Sequence, residues 1–155
     1  MLNLDIKRSA PDVAPYEEAL AHLLRQYGRR DDVIVASFND RATEAFSAFA
    51  PEIAISAGMA TTTEFYGRLH AGEPPPEGIE RFVALQVPVS HGDLVVVDEQ
   101  FVEAAHRSGL AVHVWTIDDP QEMDRLAALG VDGIISDRPS VLAEVLARRG
   151  DAWVP

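Results

Sequence analysis

Two hydrophobic rhythms take turns along the chain. Residues 2–7 (LNLDIK) alternate apolar and polar with period two, which predicts a strand. Residues 15–28 (PYEEALAHLLRQYG) place Leu20, Leu23, Leu24 and Tyr27 at i, i+3, i+4 and i+7, the stripe of an amphipathic helix. Pro15 suits a first helical position and Gly28 a C-terminal stop. Apolar runs of strand length recur at 33–38 (VIVASF), 53–56 (IAIS), 82–87 (FVALQV) and 111–117 (AVHVWTI), and GIISD at 133–137 is the last. Helices are expected over 40–50 with Asp40 as N-cap, over 98–109 with Asp98 as N-cap and Gly109 at the end, and over 118–130 and 138–150. TTTEFYGRLH reads as a helix or part of one. LVVV at 94–97 stays open between a short strand and an extended loop. AGEPPPEG is a surface loop, because three consecutive prolines remove donors and fix φ.

Strands alternating with helices imply parallel pairing through right-handed crossovers. The sequence therefore predicts an α/β fold of six βα units within a single domain, 1–155. The spacing, about 26 residues per unit, is close to that of a (β/α)₈ barrel. On that reading two units are missing. The nucleotide-binding fingerprints Gly-x-Gly-x-x-Gly and Gly-x-x-x-x-Gly-Lys-Ser/Thr do not occur.

Composition narrows the function classes. A net charge of -12 leaves no basic face for nucleic acid or an anionic membrane surface. No apolar stretch approaches the roughly 18 residues that would span a bilayer. No signal peptide is read at the N-terminus, so a cytoplasmic location is the expectation. With no Cys, thiolate chemistry and disulfides are excluded. Of the 13 basic side chains only Lys7 is a lysine.

In parallel α/β folds functional groups collect at the carboxyl ends of strands. Asn3, Asp5 and Lys7 share one face of the first strand. A carboxylate and an ammonium there suit a divalent cation and a phosphate, and a plain surface ion pair is the alternative. Ser37 ends the second strand and either meets ligand or bonds the adjacent backbone. Trp115 is a candidate aromatic wall, or core. His91, after the fourth strand, lies at the end where a pocket would form. His113 reads as a packed core histidine, and His22, His70 and His106 as surface residues. Asp137 reads as the cap of a strand-to-helix turn, and the pairs Glu17–Glu18 and Asp118–Asp119 as complements of helix N-termini.

Residues 112–146 carry a Val-x-Val-Trp-Thr strand, a helix with Met, and then Gly-Val-Asp-Gly-Ile-Ile-Ser-Asp-x-Pro before a terminal helix. This stretch resembles the C-terminal part of the glycerophosphodiester phosphodiesterases. ASF at 36–38 and LNLDIK at 2–7 fall in the family's order, so the resemblance covers nearly the whole chain and is weakest over 57–80. It implies a partial TIM (β/α)₈ barrel, units three to eight, from a phosphodiesterase. The family hydrolyses glycerophosphodiesters to glycerol 3-phosphate and an alcohol, usually with Mg²⁺ or Ca²⁺.

The family's acid and base histidines come from His-Arg-Gly and His-Asp motifs, and two metal carboxylates from a Glu-x-Asp motif. None of these motifs occurs here. The third metal carboxylate belongs to a Glu-Ile-Lys strand, which in this chain reads Asp5-Ile6-Lys7. The resemblance thus assigns Asp5 to the metal and Lys7 to the catalytic, phosphate-side role. Aspartate shortens the arm by one methylene. Trp115, Ser37 and Phe38 match family positions near the substrate, and His91 joins them as a candidate substrate contact from its place in the chain. Three readings stay open: a chain truncated inside the third strand of an enzyme, a half-barrel that needs a partner chain or oligomer to cover its open edges, or a non-catalytic binding domain on the same scaffold. On all three the isolated residues are expected to be inactive, and the ligand is a small-molecule phosphodiester.

Overall fold

A computed structural model describes residues 1–7 and 16–151. Six βα units are present. They are β1 (Leu2–Asp5) with α1 (Tyr16–Gln26), β2 (Val33–Ala36) with α2 (Asp40–Phe49), and β3 (Ala54–Ala57) with α3 (Met59–Ala71). Then come β4 (Ala84–Val87), a short hairpin of β5 (Ser90–His91) and β6 (Leu94–Val95), and α4 (Glu99–Arg107). The last two are β7 (Ala111–Val114) with α5 (Pro120–Leu129) and β8 (Gly133–Ile134) with α6 (Pro139–Arg149). The main sheet has the strand order β1-β2-β3-β4-β7-β8. Pro15 lies outside the described residues.

Contacts group the chain into two compact units, Met1–Leu85 and Gln86–Pro155. In the first, β1, β2, β3 and β4 pair in parallel, with Leu2 opposite Val33, Ile34 opposite Ala54 and Ser56 opposite Ala84. All four residues of β2 are buried, which explains why VIVA reads as a continuous apolar run. Phe46 and Ala42 of α2 and Leu24 of α1 supply the buried helical side. Of these, Phe46 and Leu24 each contribute about 1.5–3 kcal/mol on burial. β1 is different: it ends the strand order, and Leu2, Asn3 and Asp5 are exposed.

In the second unit β7 and β8 pair in parallel, with His113 opposite Gly133. Phe101, Val112, Val114, Met123 and Leu126 form its core. Of the open stretch LVVV, Leu94–Val95 forms β6 of the antiparallel β5–β6 hairpin, which turns at Gly92 with φ +61. Leu94 and Val95 are exposed while Val96 and Val97 are buried, so one apolar run covers two environments and its pattern fits neither a strand nor a loop.

Helix starts follow local chemistry, with one correction. Asp98 and Asp119 cap α4 and α5 as side-chain acceptors for Phe101, and for Gln121 and Glu122. The N-cap of α2 is Asn39, not Asp40: Asn39 accepts from the Arg41 N–H. Asp40 instead reaches across to the start of α3, accepting from the N–H of Ala60 and Thr61 and from the Thr61 hydroxyl at 2.6 Å. The TTTEFYGRLH stretch is helical throughout, as part of α3.

Candidate phosphate-side site at the ends of β1 and β2

The chain leaves β1 with Asp5, Ile6 and Lys7 alternating in direction. Ile6 is buried, while Asp5 and Lys7 are turned outward. The ladder continues one bond beyond the strand, with Ile6 N–H donating to the Ala36 carbonyl at 2.8 Å. Lys7 Nζ sits 2.5 Å from Asp5 Oδ2, and the Lys7 side chain is 76% exposed against 30% for Asp5. An exposed pair of this kind adds little to stability, of order 0–1 kcal/mol. Its interest lies in placing one positive and one negative group at the carboxyl end of a parallel strand.

Two further residues at the end of β2 complete the cluster. The buried Ser37 donates its hydroxyl to the Ile6 carbonyl at 2.7 Å and accepts from the Asn39 N–H at 3.1 Å. Phe38, half exposed, brings its ring centroid 5.8 Å from Lys7 Nζ, within cation–π range. An open cavity of about 650 Å³ lies alongside, with Asp5, Ile6 and Lys7 on one side and Tyr16, Ala19, Leu20 and Leu23 of α1 on the other. The structure therefore brings Asp5, Lys7, Ser37 and Phe38 together in the first unit.

The other two expected residues belong to the second unit. Trp115 directly follows β7, half-buried, with its N–H donating to the Val87 carbonyl at 3.1 Å. His91 is exposed in the β5–β6 hairpin. His113 is half-buried against Gln86, whose Nε2 lies 3.3 Å from its Nδ1. Burial pushes its pKa below the usual histidine value, and the Asp132 carboxylate offsets this in part. His22, His70 and His106 are exposed. His106 Nε2 lies 2.8 Å from Asp132 Oδ2, which also accepts from the Val112 N–H.

At the end of β7 the carboxylates are structural. Asp118 Oδ1 accepts from the Ser136 hydroxyl and the Asp137 N–H, each at 2.9 Å. Asp137, expected to cap this turn, is therefore held by Asp118 instead. A strand-end Asp reaching one strand over, as Asp40 also does, is invisible to a reading of local sequence. Burial alone would raise the Asp40 pKa, but its bonds from Thr61 and Ala60 outweigh that and hold it below the usual carboxylate range.

A divalent cation needs several oxygen ligands. Among the described residues no group of three or more His, Asp or Glu could hold one. Asp5 offers a single carboxylate, already paired with Lys7. These residues by themselves do not fit a metal.

The sequence profile of the glycerophosphoryl diester phosphodiesterase family matches residues 3–141. "Probable glycerophosphodiester phosphodiesterase 2" of Mycobacterium tuberculosis is 30% identical over 160 residues, which take in 97% of this chain and 56% of that protein. A glycerophosphodiester phosphodiesterase of Caldanaerobacter subterraneus is 25% identical, over 97% of this chain and 57% of that protein. Among solved structures, the glycerophosphodiester phosphodiesterase of Agrobacterium tumefaciens superposes with a TM-score of 0.69 at 18% identity, covering 94% of this chain and 55% of that one. An Oleispira antarctica phosphodiesterase in complex with the product sn-glycerol-3-phosphate superposes with a TM-score of 0.63 at 22% identity, covering 84% and 50%. The chain thus spans a little over half the length of the curated relatives it matches. Its six parallel βα units are those of a partial (β/α)₈ barrel, and the chain belongs to the glycerophosphoryl diester phosphodiesterase family.

Proposed function

We propose that these residues supply the phosphate-binding side of an enzyme that hydrolyses glycerophosphodiesters to glycerol 3-phosphate and an alcohol. The observation that carries this reading is the Asp5–Lys7 pair at the carboxyl end of β1, inside the stretch the family profile matches. Lys7, as a compact point charge on a flexible stem, binds a non-bridging phosphoryl oxygen and stabilises the charge that grows there as the bond to the alcohol breaks. Asp5 keeps the ammonium over the strand end until substrate arrives. Phe38, beside Lys7, is proposed to pack against the non-polar parts of the substrate.

A divalent cation, Mg²⁺ or Ca²⁺, belongs to the proposal only for a protein that adds carboxylates to Asp5. The acid and base also have to come from elsewhere. His22, His70, His91 and His106 are exposed on helices or the hairpin, and His113 is held by Gln86. Residues 1–155 alone are therefore proposed to be inactive. No helix among the described residues is long and apolar enough to cross a membrane, and a small-molecule phosphodiester in the cytoplasm is the proposed substrate setting.

The test is direct. Purified 1–155, given glycerophosphocholine with Mg²⁺ or Ca²⁺, should release no glycerol 3-phosphate above the metal blank. Metal-dependent release would overturn the proposed division of labour.

A further inference from the structure

We infer that Met59 is a further substrate-contact residue beside Lys7 and Phe38, and that this cluster favours glycerophosphodiesters whose alcohol is uncharged and apolar next to the phosphate over those with a cationic head group. This rests on the reading of Lys7 as the phosphate-side cation. Strands β1, β2 and β3 pair in parallel, so their carboxyl ends lie side by side. Lys7 follows the first, Phe38 the second and Met59 the third. Phe38 and Met59 are joined directly, since the Met59 N–H donates to the Phe38 carbonyl at 3.0 Å. The backbone on either side of Met59 is held by Asp40. Its carboxylate accepts from the N–H of Ala60 and Thr61, and it lies so close to Gly58 that a Cβ there would meet Oδ2 at 2.6 Å. Met59 is nevertheless 59% exposed, and Phe38 49%. Exposed apolar residues scattered singly need no explanation, but these two stand on bonded neighbouring strand ends beside a lysine. A flexible thioether on a fixed backbone, next to an aromatic ring, is an adaptable apolar surface.

The charges select among ligands. A quaternary ammonium is drawn to an aromatic face, but Lys7 Nζ already lies 5.8 Å from the Phe38 centroid. With a phosphate oxygen on Lys7, a choline or ethanolamine nitrogen of the same ester would approach that ammonium, like charge against like. The Asp5 carboxylate is engaged by the same ammonium, and a thioether brings no charge to offset the repulsion. An alkyl chain meets no such repulsion, and each methylene it buries on Phe38 and Met59 adds about fourfold in affinity.

The chain has three methionines, so protein 1–155 made with [methyl-¹³C]methionine gives three methyl signals. Met123 is buried and Met1 precedes the opposite end of β1, so both serve as internal references. The protein is titrated with glycerol 3-phosphate, glycerophosphocholine and glycerophosphobutanol. Glycerophosphobutanol should move the Met59 methyl and leave Met1 and Met123 in place. It should bind about 4–10-fold tighter than either other ligand, as one to two buried methylenes require. Met59→Gln keeps the length but is polar; it should remove that preference with an unchanged melting temperature, and Met59→Leu should keep it. A Met59 methyl that stays put while glycerophosphobutanol binds overturns the inference. So does a Met59→Gln protein that keeps the preference, or tighter binding of glycerophosphocholine. The reading of Lys7 fails in a different way. In protein made with ¹³C,¹⁵N-lysine, glycerol 3-phosphate would then leave the signal of Lys7, the one lysine of the chain, unmoved.

Discussion

The ends of β2 and β7 are built alike, and the end of β1 is not. After β2, Asp40 reaches one strand over and caps the start of α3. After β7, Asp118 reaches one strand over and secures the turn into α6 through Ser136 and Asp137. Both carboxylates are occupied by backbone N–H groups, the ordinary stabilising use of an acid at a helix start. Asp5 instead faces an ammonium, and that ammonium is largely exposed. The same residue type at the same end of a parallel strand is thus a structural cap in two places and a candidate ligand-binding group in the third. Position in the fold does not separate these roles; the partner of the carboxylate does.

The sharpest way to break the shared part is through the glycine that makes room for Asp40. A Cβ on Gly58 would lie 2.6 Å from Asp40 Oδ2 and 2.8 Å from the Asp40 backbone nitrogen. Gly58→Ala should cost about 1–3 kcal/mol by urea denaturation, because a backbone atom cannot step aside. Gly133→Ala meets the His113 ring, with Cδ2 at 2.7 Å, and should fall at the lower end of that range since a half-buried side chain can shift.

The caps come next. Asp118→Ala should destabilise by about 1–2 kcal/mol, as loss of a helix-start acceptor does, whereas Asp5→Ala should stay within about 0.5 kcal/mol, as for an exposed ion pair. Equal losses in the two variants would erase the distinction between cap and candidate site.

The smallest effect is in pH. The pKa of His113 is lowered in the folded state. Its contribution is therefore complete above the unfolded value of about 6.5 and is lost as pH falls through the folded value. Asp40, also lowered, follows the same sign but in the carboxylate range, below about pH 4. Amide exchange followed between pH 7 and 5 should weaken protection around β7 and β8 before that around α3. Protection lost first at α3 would contradict this order.

Much of this was readable from residues alone. The six βα units follow from apolar runs such as VIVA, which record burial on two faces; the stripe of α1 marks a helix but not its buried face, since Leu23 and Tyr27 are exposed while Glu17, Ala21 and Leu24 are buried. The cap at Asp98 is local and plain from the sequence, and Asp119, read there only as a complement of a helix N-terminus, is the cap of α5. The partners of Asp40, Ala60 and Thr61, lie 20 and 21 residues on, where a reading of local sequence does not see them. Asp118 escaped for the same reason: its partners lie 18 and 19 residues on. At the candidate site, family likeness pointed to Asp5, Lys7, Ser37 and Phe38. That the Ser37 proton goes to Ile6 is a matter of three dimensions that no spacing encodes.

The central claim is that Lys7 is the phosphate-side cation of a glycerophosphodiester phosphodiesterase. It is tested most directly by joining residues 1–155 behind a segment that carries the His-Arg-Gly, Glu-x-Asp and His-Asp motifs, and measuring release of glycerol 3-phosphate from glycerophosphocholine with and without divalent metal. The joined protein should be active only with metal, and Lys7→Ala should lower kcat by about 10²–10³-fold, the usual cost of removing one transition-state donor, with its melting temperature unchanged. A Lys7→Ala protein as active as its parent would contradict the account.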